Sequence, residues 1–308
     1  MNQTCVRRTA PRTLAFASRR RALTLPEVLV VAGVTLLLLA LVAVVVTRPP
    51  RRSIVSRRTA CAANLSSMGK GLYTYAVENS DMFPIAAHMP AEADEVGRVK
   101  YAPGMIGTHR GVAGDPNSGE TTEADTEMST TRNLWVLVRT GGTSPRSFIC
   151  PSTEDRASFE DNPADFRDFR SWEEVSYGYQ VPYGKHGRPS SMCDQRMPLA
   201  ADKGPYGAAL ESGAKNPGVP TLRFDASPDD WMPWNSPNHG GEGQVVLFAD
   251  SHVEFLAKPI VGVNNDNIYT RWSTADGGGT ASDLPRIQGT PPTGIETPWS
   301  DTDSLIYP

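Results

Sequence analysis

Two imidazoles and a carboxylate, His239, Asp250 and His252, stand within one short stretch of the chain. Such groups together can hold a borderline metal ion or relay a proton, and a hairpin between them would bring His239 near Asp250. Hydrogen bonding to loop backbone around Asn238-His239-Gly240-Gly241 is the simpler use of the same groups and the one expected here. His88, His109 and His186 lie in polar surroundings and read as solvated. Asp225, Asp229 and Asp230, and separately Asn264, Asn265, Asp266 and Asn267, offer the hard oxygen ligands that calcium takes, although neither group follows EF-hand spacing. Calcium at the Asp225 group is therefore the one cofactor considered, with solvated loop polarity as the plainer expectation. The cysteines Cys5, Cys61, Cys150 and Cys193 are too widely spaced for the local Cys pairs that zinc sites favour. There is no Gly-x-Ser-x-Gly elbow, no His-Glu-x-x-His and no phosphate-cradling glycine loop, so no catalytic residue is assigned and a non-enzymatic protein is expected.

The elements that must position these groups begin with nineteen uncharged residues, Val28 to Val46, directly after Glu27. At about 1.5 Å per residue this run approaches the roughly 30 Å hydrocarbon thickness of a bilayer, which predicts one membrane helix over 23–47. A secretory signal peptide has a shorter apolar core and a small-residue cleavage site, whereas this run leads into Thr47-Arg48-Pro49-Pro50-Arg51-Arg52. Glu27 needs a reason, because no basic residue follows within the next twenty. A carboxylate in hydrocarbon costs about 2.5–3.5 kcal/mol at a helix centre and less near an end. At the first turn the macrodipole favours it, and Pro26 is tolerated there because its missing N–H would be unpaired anyway.

The first 22 residues hold six arginines and no acid, so the rest of the chain carries 24 basic against 34 acidic residues. That asymmetry predicts a basic leader at 1–22 retained on the cytoplasmic side, although Arg48, Arg51, Arg52, Arg57 and Arg58 beyond the span oppose it. The acidic remainder excludes nucleic acid as the expected partner, while the arginines beyond the span suit anionic lipid.

After Pro49-Pro50, Cys61, Leu65, Met68, Leu72 and Tyr75 recur at helical spacing, which predicts a helix over 48–78 that continues the spine and packs one stripe against a sheet. Asn79-Ser80-Asp81, followed by Met82-Phe83-Pro84, ends it. Residues 79–272 read as the globular part. Leu134 to Val138 suits a helix end or a strand, Ser147 to Cys150 and Val175 to Tyr179 suit strands, and Gln244 to Leu256 suits a hairpin turning at Asp250-Ser251. Segments 85–130 and 203–244 read as surface loops, and 273–308, with Gly277-Gly278-Gly279, as a flexible tail.

The order of a basic stretch, a small residue, Leu23-Thr24-Leu25-Pro26-Glu27 and an apolar helix resembles the N-terminal cleavage and methylation motif of type IV prepilin-like proteins, the pseudopilins of type II secretion. Three more landmarks stand in the order seen in planctomycete-type members of that group: Arg58 to Leu65 with Met82-Phe83-Pro84; Phe148-Ile149-Cys150-Pro151-Ser152; and His239-Gly240-Gly241 followed by Leu247 to Val253. The chain departs from the family pattern at Ala22, usually Gly, and at Leu23, usually Phe or Met. It also has ten residues rather than nine between His239 and Asp250, and Ser251 in place of Gly, which predicts a different turn geometry.

What the resemblance implies is cleavage by a prepilin peptidase between Ala22 and Leu23, N-methylation of Leu23, and Glu27 meeting the amine of a neighbouring copy inside a filament. It implies a pilin-like α+β fold, with a long N-terminal helix on an antiparallel sheet, and as partners other copies or related subunits, inner-membrane assembly machinery and membrane lipid. The localisation implied is the inner membrane, single-pass, with the C-terminal domain outside the cytoplasm. With Cys5 lost in the leader, the landmarks suggest pairing of Cys61 with Cys150; pairings through Cys193, or an intermolecular bond, stay open. The competing class is a tethered envelope enzyme or ligand-binding protein that uses aromatic side chains such as Trp231 and Trp234.

Overall fold

The structure, a computed structural model, describes residues 24–47, 51–85, 130–157, 166, 168–169, 172–182, 186, 189–206, 216–272, 284–292 and 297–307. The chain divides into two units, Met1–Pro50 and Arg51–Pro308. In the first, helix α1 spans Leu25–Thr47. Its 23 residues extend about 35 Å, and its apolar side chains from Leu25 to Ala43 are exposed, Leu25 to 75 % and Leu36 to 68 %. A Thr inside such a helix has to satisfy its hydroxyl locally, and Thr35 Oγ1 donates to the Val31 carbonyl at 2.7 Å. Residues 25–43 are long and apolar enough to cross a membrane.

The second unit is α+β, with one five-stranded antiparallel sheet. Helix α2 spans Arg51–Glu78 and α3 spans Thr131–Arg139. Strands β1 (Tyr177–Gln180), β2 (Pro198–Asp202), β3 (Gln244–Phe248), β4 (Val253–Leu256) and β5 (Ile306–Tyr307) lie in the order β4-β3-β2-β1-β5. Cys61, Leu65, Met68 and Leu72 are fully buried, as their spacing requires, and the stripe ends on Ala76 while Tyr75 is only partly covered. That stripe packs α2 across β3 and β4. Gly69 makes the approach close, since a Cβ there would lie 3.0 Å from Leu247 Cδ1. Successive β3 residues point to opposite faces: Val245 and Leu247 join the α2 side, whereas Val246 and Phe248 meet Ile268, Tyr269 and Leu305 on the other. A sheet covered on both faces explains why Gln244 to Phe248 reads as a near-continuous apolar run.

Three local expectations change. Pro145 opens a short 3-10 turn, Pro145–Phe148, and Ile149 is extended after it, where a strand over 147–150 was expected. Ile306 and Tyr307, inside the segment read as a flexible tail, pair with Gln180 and Tyr179 as edge strand β5 and are buried with Leu305. The 203–244 segment is not all surface, since Trp231 and Ser236 are fully buried. The expected break at Pro49-Pro50, most of the 85–130 loop and the three glycines Gly277-Gly278-Gly279 lie outside the described residues.

Around β5 two carboxylates are buried together. Asp303 accepts the Trp272 N–H at 3.2 Å and the Trp299 N–H, and Asp266 Oδ2 accepts the Ser304 N–H at 2.6 Å. Burial lifts Asp303 to about 7 and, together with the Asp303 charge, lifts Asp266 well above the carboxylate range. A carboxyl whose folded-state pKa is raised binds its proton more tightly when folded. Its stabilising contribution is therefore complete below about 3.9 and is lost as pH rises toward about 7. We expect stability in urea to fall between about pH 4 and 7, and Asp303→Asn to flatten that slope; an unchanged slope in the variant would reject the assignment.

Candidate functional site

Glu27 lies in the first turn of α1, and its Oε2 accepts the Thr24 N–H at 2.8 Å and the Thr24 hydroxyl at 2.9 Å. This is the acid half of a capping box, in which the residue three positions into a helix returns to the cap residue's amide. The spacing Thr24-x-x-Glu27 was the available sequence signal for it. Among the described residues Glu27 has no basic partner. Ala22 and Leu23 lie outside the described residues.

In the second unit, the three internal landmarks meet at one place. The stripe of α2 buries Cys61, the turn after Pro145–Phe148 brings in Cys150, and the two are joined as a disulfide with Cα atoms 5.2 Å apart, leaving Cys193 free. Asn64, one turn beyond Cys61, donates from Nδ2 to the Ile149 carbonyl at 2.8 Å and to the Tyr177 hydroxyl at 3.2 Å. These bonds hold the Cys150 segment against α2 and β1.

His239 enters from the other side. Pro237–His239 forms a 3-10 turn in which Ser236 Oγ accepts the Asn238 N–H, and Gly240 and Gly241 then take φ 68° and 81° to lead the chain into β3. A Cβ on Gly241 would sit 2.9 Å from the Met232 carbonyl oxygen, which explains the need for glycine there. The His239 ring is buried, its side chain 3 % exposed, edge-on to Phe255 at 5.6 Å. Arg58 lies 3.8 Å over the same Phe255 ring and pairs with Glu242, closing the cluster's outer edge.

The partner of His239 is Asp202, the last residue of β2, with Nε2 3.2 Å from Oδ2. Asp202 is fully buried. Its Oδ2 also accepts the Val245 N–H at 2.7 Å, and its Oδ1 accepts Asn238 Nδ2 at 2.9 Å. Asn238 Nδ2 also reaches the Ser176 carbonyl at 2.7 Å, and Tyr269 donates its hydroxyl to the Asp202 carbonyl at 2.7 Å. Burial, then the Asp202 charge, pushes the Tyr177 phenol strongly upward. The neighbouring Lys203 meets Asp155 at 2.9 Å, its pKa lowered by burial against that carboxylate's pull.

His239 Nε2 lies 3.8 Å from Cys150 Sγ as well. One ligand atom each from Cys61, Cys150, Asp202 and His239 lies within 4.8 Å of the others, and among the described residues this is the one such group of three or more.

The other candidates fall elsewhere. Asp250 pairs with His252 across the β3–β4 turn and so does not serve His239. Ser251 sits at φ 71°, the left-handed region where glycine is most at home. Asp230 is engaged as a helix cap, accepting from the Ser227 N–H and hydroxyl at 3.1 and 2.7 Å, while Asp225 and Asp229 stand exposed. The three do not form a convergent ligand group. Asn264 and Asn265 carry a turn at positive φ, and Asn267 Nδ2 donates to the Ile287 carbonyl at 3.2 Å. Asp202 and Asn238 were missed from sequence. Nothing periodic marks either one.

Comparison with protein-family models, curated proteins and solved structures finds no match to this chain.

Proposed function

We propose that this chain is a non-enzymatic, membrane-anchored filament subunit of the pseudopilin class. It is inserted in the inner membrane with residues 1–22 cytoplasmic, is cleaved before Leu23 and N-methylated by a prepilin peptidase, and assembles with other copies through α1. The carrying observation is α1 itself: a 23-residue helix with its apolar surface exposed from Leu25 to Ala43 and one carboxylate in its first turn. Lipid covers such a surface in the waiting subunit, and neighbouring α1 helices cover it in a filament. Glu27 supplies what an all-apolar bundle lacks, a single charged contact that distinguishes one axial register from the next.

N-terminal peptide mass spectrometry on the native membrane fraction tests processing. The expected species begins at N-methylated Leu23, and an intact terminus at Met1 or Asn2 in cells with active prepilin peptidase would overturn the proposal. Assembly is tested by Glu27→Ala, expected to insert in the membrane at normal level yet to drop out of sheared filaments. Normal incorporation would instead leave α1 as a tether, the arrangement of an anchored enzyme or ligand-binding protein.

A further inference from the structure

The cluster around the disulfide contains more chemistry than a crosslink uses. Cys61, Cys150 and Asp202 are fully buried, and the His239 side chain is nearly so. Two sulfurs, an imidazole nitrogen and a carboxylate oxygen face one point from four separate elements. Tetrahedral zinc-class ions take metal–ligand lengths of about 2.3 Å to sulfur and about 2.0–2.1 Å to imidazole or carboxylate. Those lengths place neighbouring sulfur and nitrogen ligands roughly 3.5 Å apart, and nitrogen and oxygen roughly 3.3 Å apart. The chain already holds Cys150 Sγ 3.8 Å from His239 Nε2, and His239 Nε2 3.2 Å from Asp202 Oδ2. The two sulfurs have to separate from a bond to a contact of roughly 3.7 Å, and no pair of the four ligand atoms starts more than 4.8 Å apart.

The surroundings suit a ligand set as well. A metal-binding carboxylate is normally oriented by hydrogen bonds from outside the metal's own ligands. Asp202 has two such donors, the Val245 N–H and Asn238 Nδ2, both anchored by the β-sheet and its loops. Phe255 shields the imidazole.

We propose that Cys61, Cys150, Asp202 and His239 form a redox-selected site for a zinc-class divalent cation, bound by the dithiol form of the chain and excluded by the disulfide form. The inference is independent of the filament reading. In the switching step a dithiol reductant gives two electrons and two protons: the Cys61–Cys150 bond breaks, both sulfurs become thiols, and the reductant closes its own disulfide. The cation then displaces the two thiol protons to water, and the His239 ring proton passes from Nε2 to Nδ1 by exchange with water so that Nε2 can donate its lone pair. Oxidation by a disulfide of the same chemical class reverses the electron count, restores the Cys61–Cys150 bond and releases the ion. Cation and crosslink are thus alternative ways of tying α2 to the Cys150 segment.

The test uses the full chain in detergent micelles, carrying Cys5→Ser and Cys193→Ser so that no other thiol competes, with Co2+ as the probe. The reduced sample, prepared with a water-soluble phosphine, is expected to bind one equivalent of Co2+. It should show thiolate-to-cobalt charge transfer in the near ultraviolet and intense tetrahedral d–d bands, both displaced by Zn2+. The oxidised sample should show neither. His239→Ala is expected to weaken the reduced site about 10-fold or more. Absence of binding to the reduced chain, equal binding to the oxidised chain, or unchanged affinity in His239→Ala would each overturn the proposal. Should reduction alone unfold the domain, Co2+ is expected to restore its near-ultraviolet circular dichroism, and failure to do so counts equally against the site.

Discussion

Replacing Asp202 by alanine is expected to lower the unfolding free energy of the Arg51–Pro308 unit by about 3–5 kcal/mol, because several buried donors lose their shared acceptor at once. Three donors converge on this one side chain: the Val245 amide, the Asn238 amide and the His239 ring. None of them gains water when the carboxylate goes, because all sit in the interior between β2 and the Pro237–His239 turn. An orphaned buried donor costs about 1–3 kcal/mol by itself, so the local loss alone consumes much of the 5–15 kcal/mol that typical domains possess. Asp202→Asn keeps one good acceptor and should recover part of the loss. The measurement is urea unfolding of the full chain in micelles, followed by tryptophan emission, since Trp135 and Trp231 are both buried. A change of less than about 1 kcal/mol in Asp202→Ala would mean that the network relaxes around the gap and does not hold the fold together.

Removing the crosslink should cost nearly as much by a different route. The Cys61–Cys150 bond spans a sequence separation of 89, and closing such a loop stabilises a fold by about 4.5 kcal/mol in the chain-entropy account. In Cys61→Ala with Cys150→Ala that contribution should vanish, with unfolding moved to markedly lower urea. The bridge acts on the unfolded chain and Asp202 on the folded one, yet the two touch through His239. Their effects are therefore expected to be non-additive in a double-mutant cycle, by about 0.5–3 kcal/mol. Strict additivity would show that the His239 contact with Cys150 couples nothing.

What sequence revealed and what it hid follow from the range of the interactions. The α2 stripe is a local pattern, three or four residues at a time, and the buried apolar side chains Cys61, Leu65, Met68 and Leu72 could be read from it, though not the buried Gly69 and Gly71. So could the β3–β4 hairpin, whose apolar runs flank a short turn. Strand β2 was invisible. Its residues Pro198-Leu199-Ala200-Ala201-Asp202 begin with a strand breaker and contain two alanines of low strand propensity, yet they occupy the centre of the sheet because β1 and β3 supply the bulk around them. Asp202 was hidden with β2, and with it the partner of His239. The proximity of His239 to Asp250 in sequence pointed to the wrong carboxylate, since the β3–β4 turn closes Asp250 onto His252. Edge strand β5 is two residues long, too short for any periodic signal. Glu27 was noticed for its isolation, but the threonine that caps it was not.

That cap gives the proposed assembly step a particular thermodynamic character. Both Thr24 bonds end on Oε2, so in the proposed assembly Oε1 is left to meet a neighbour's amine without breaking the cap. The cap would hold the carboxylate in one orientation before docking, and little side-chain freedom would then remain to be lost when the charged contact forms.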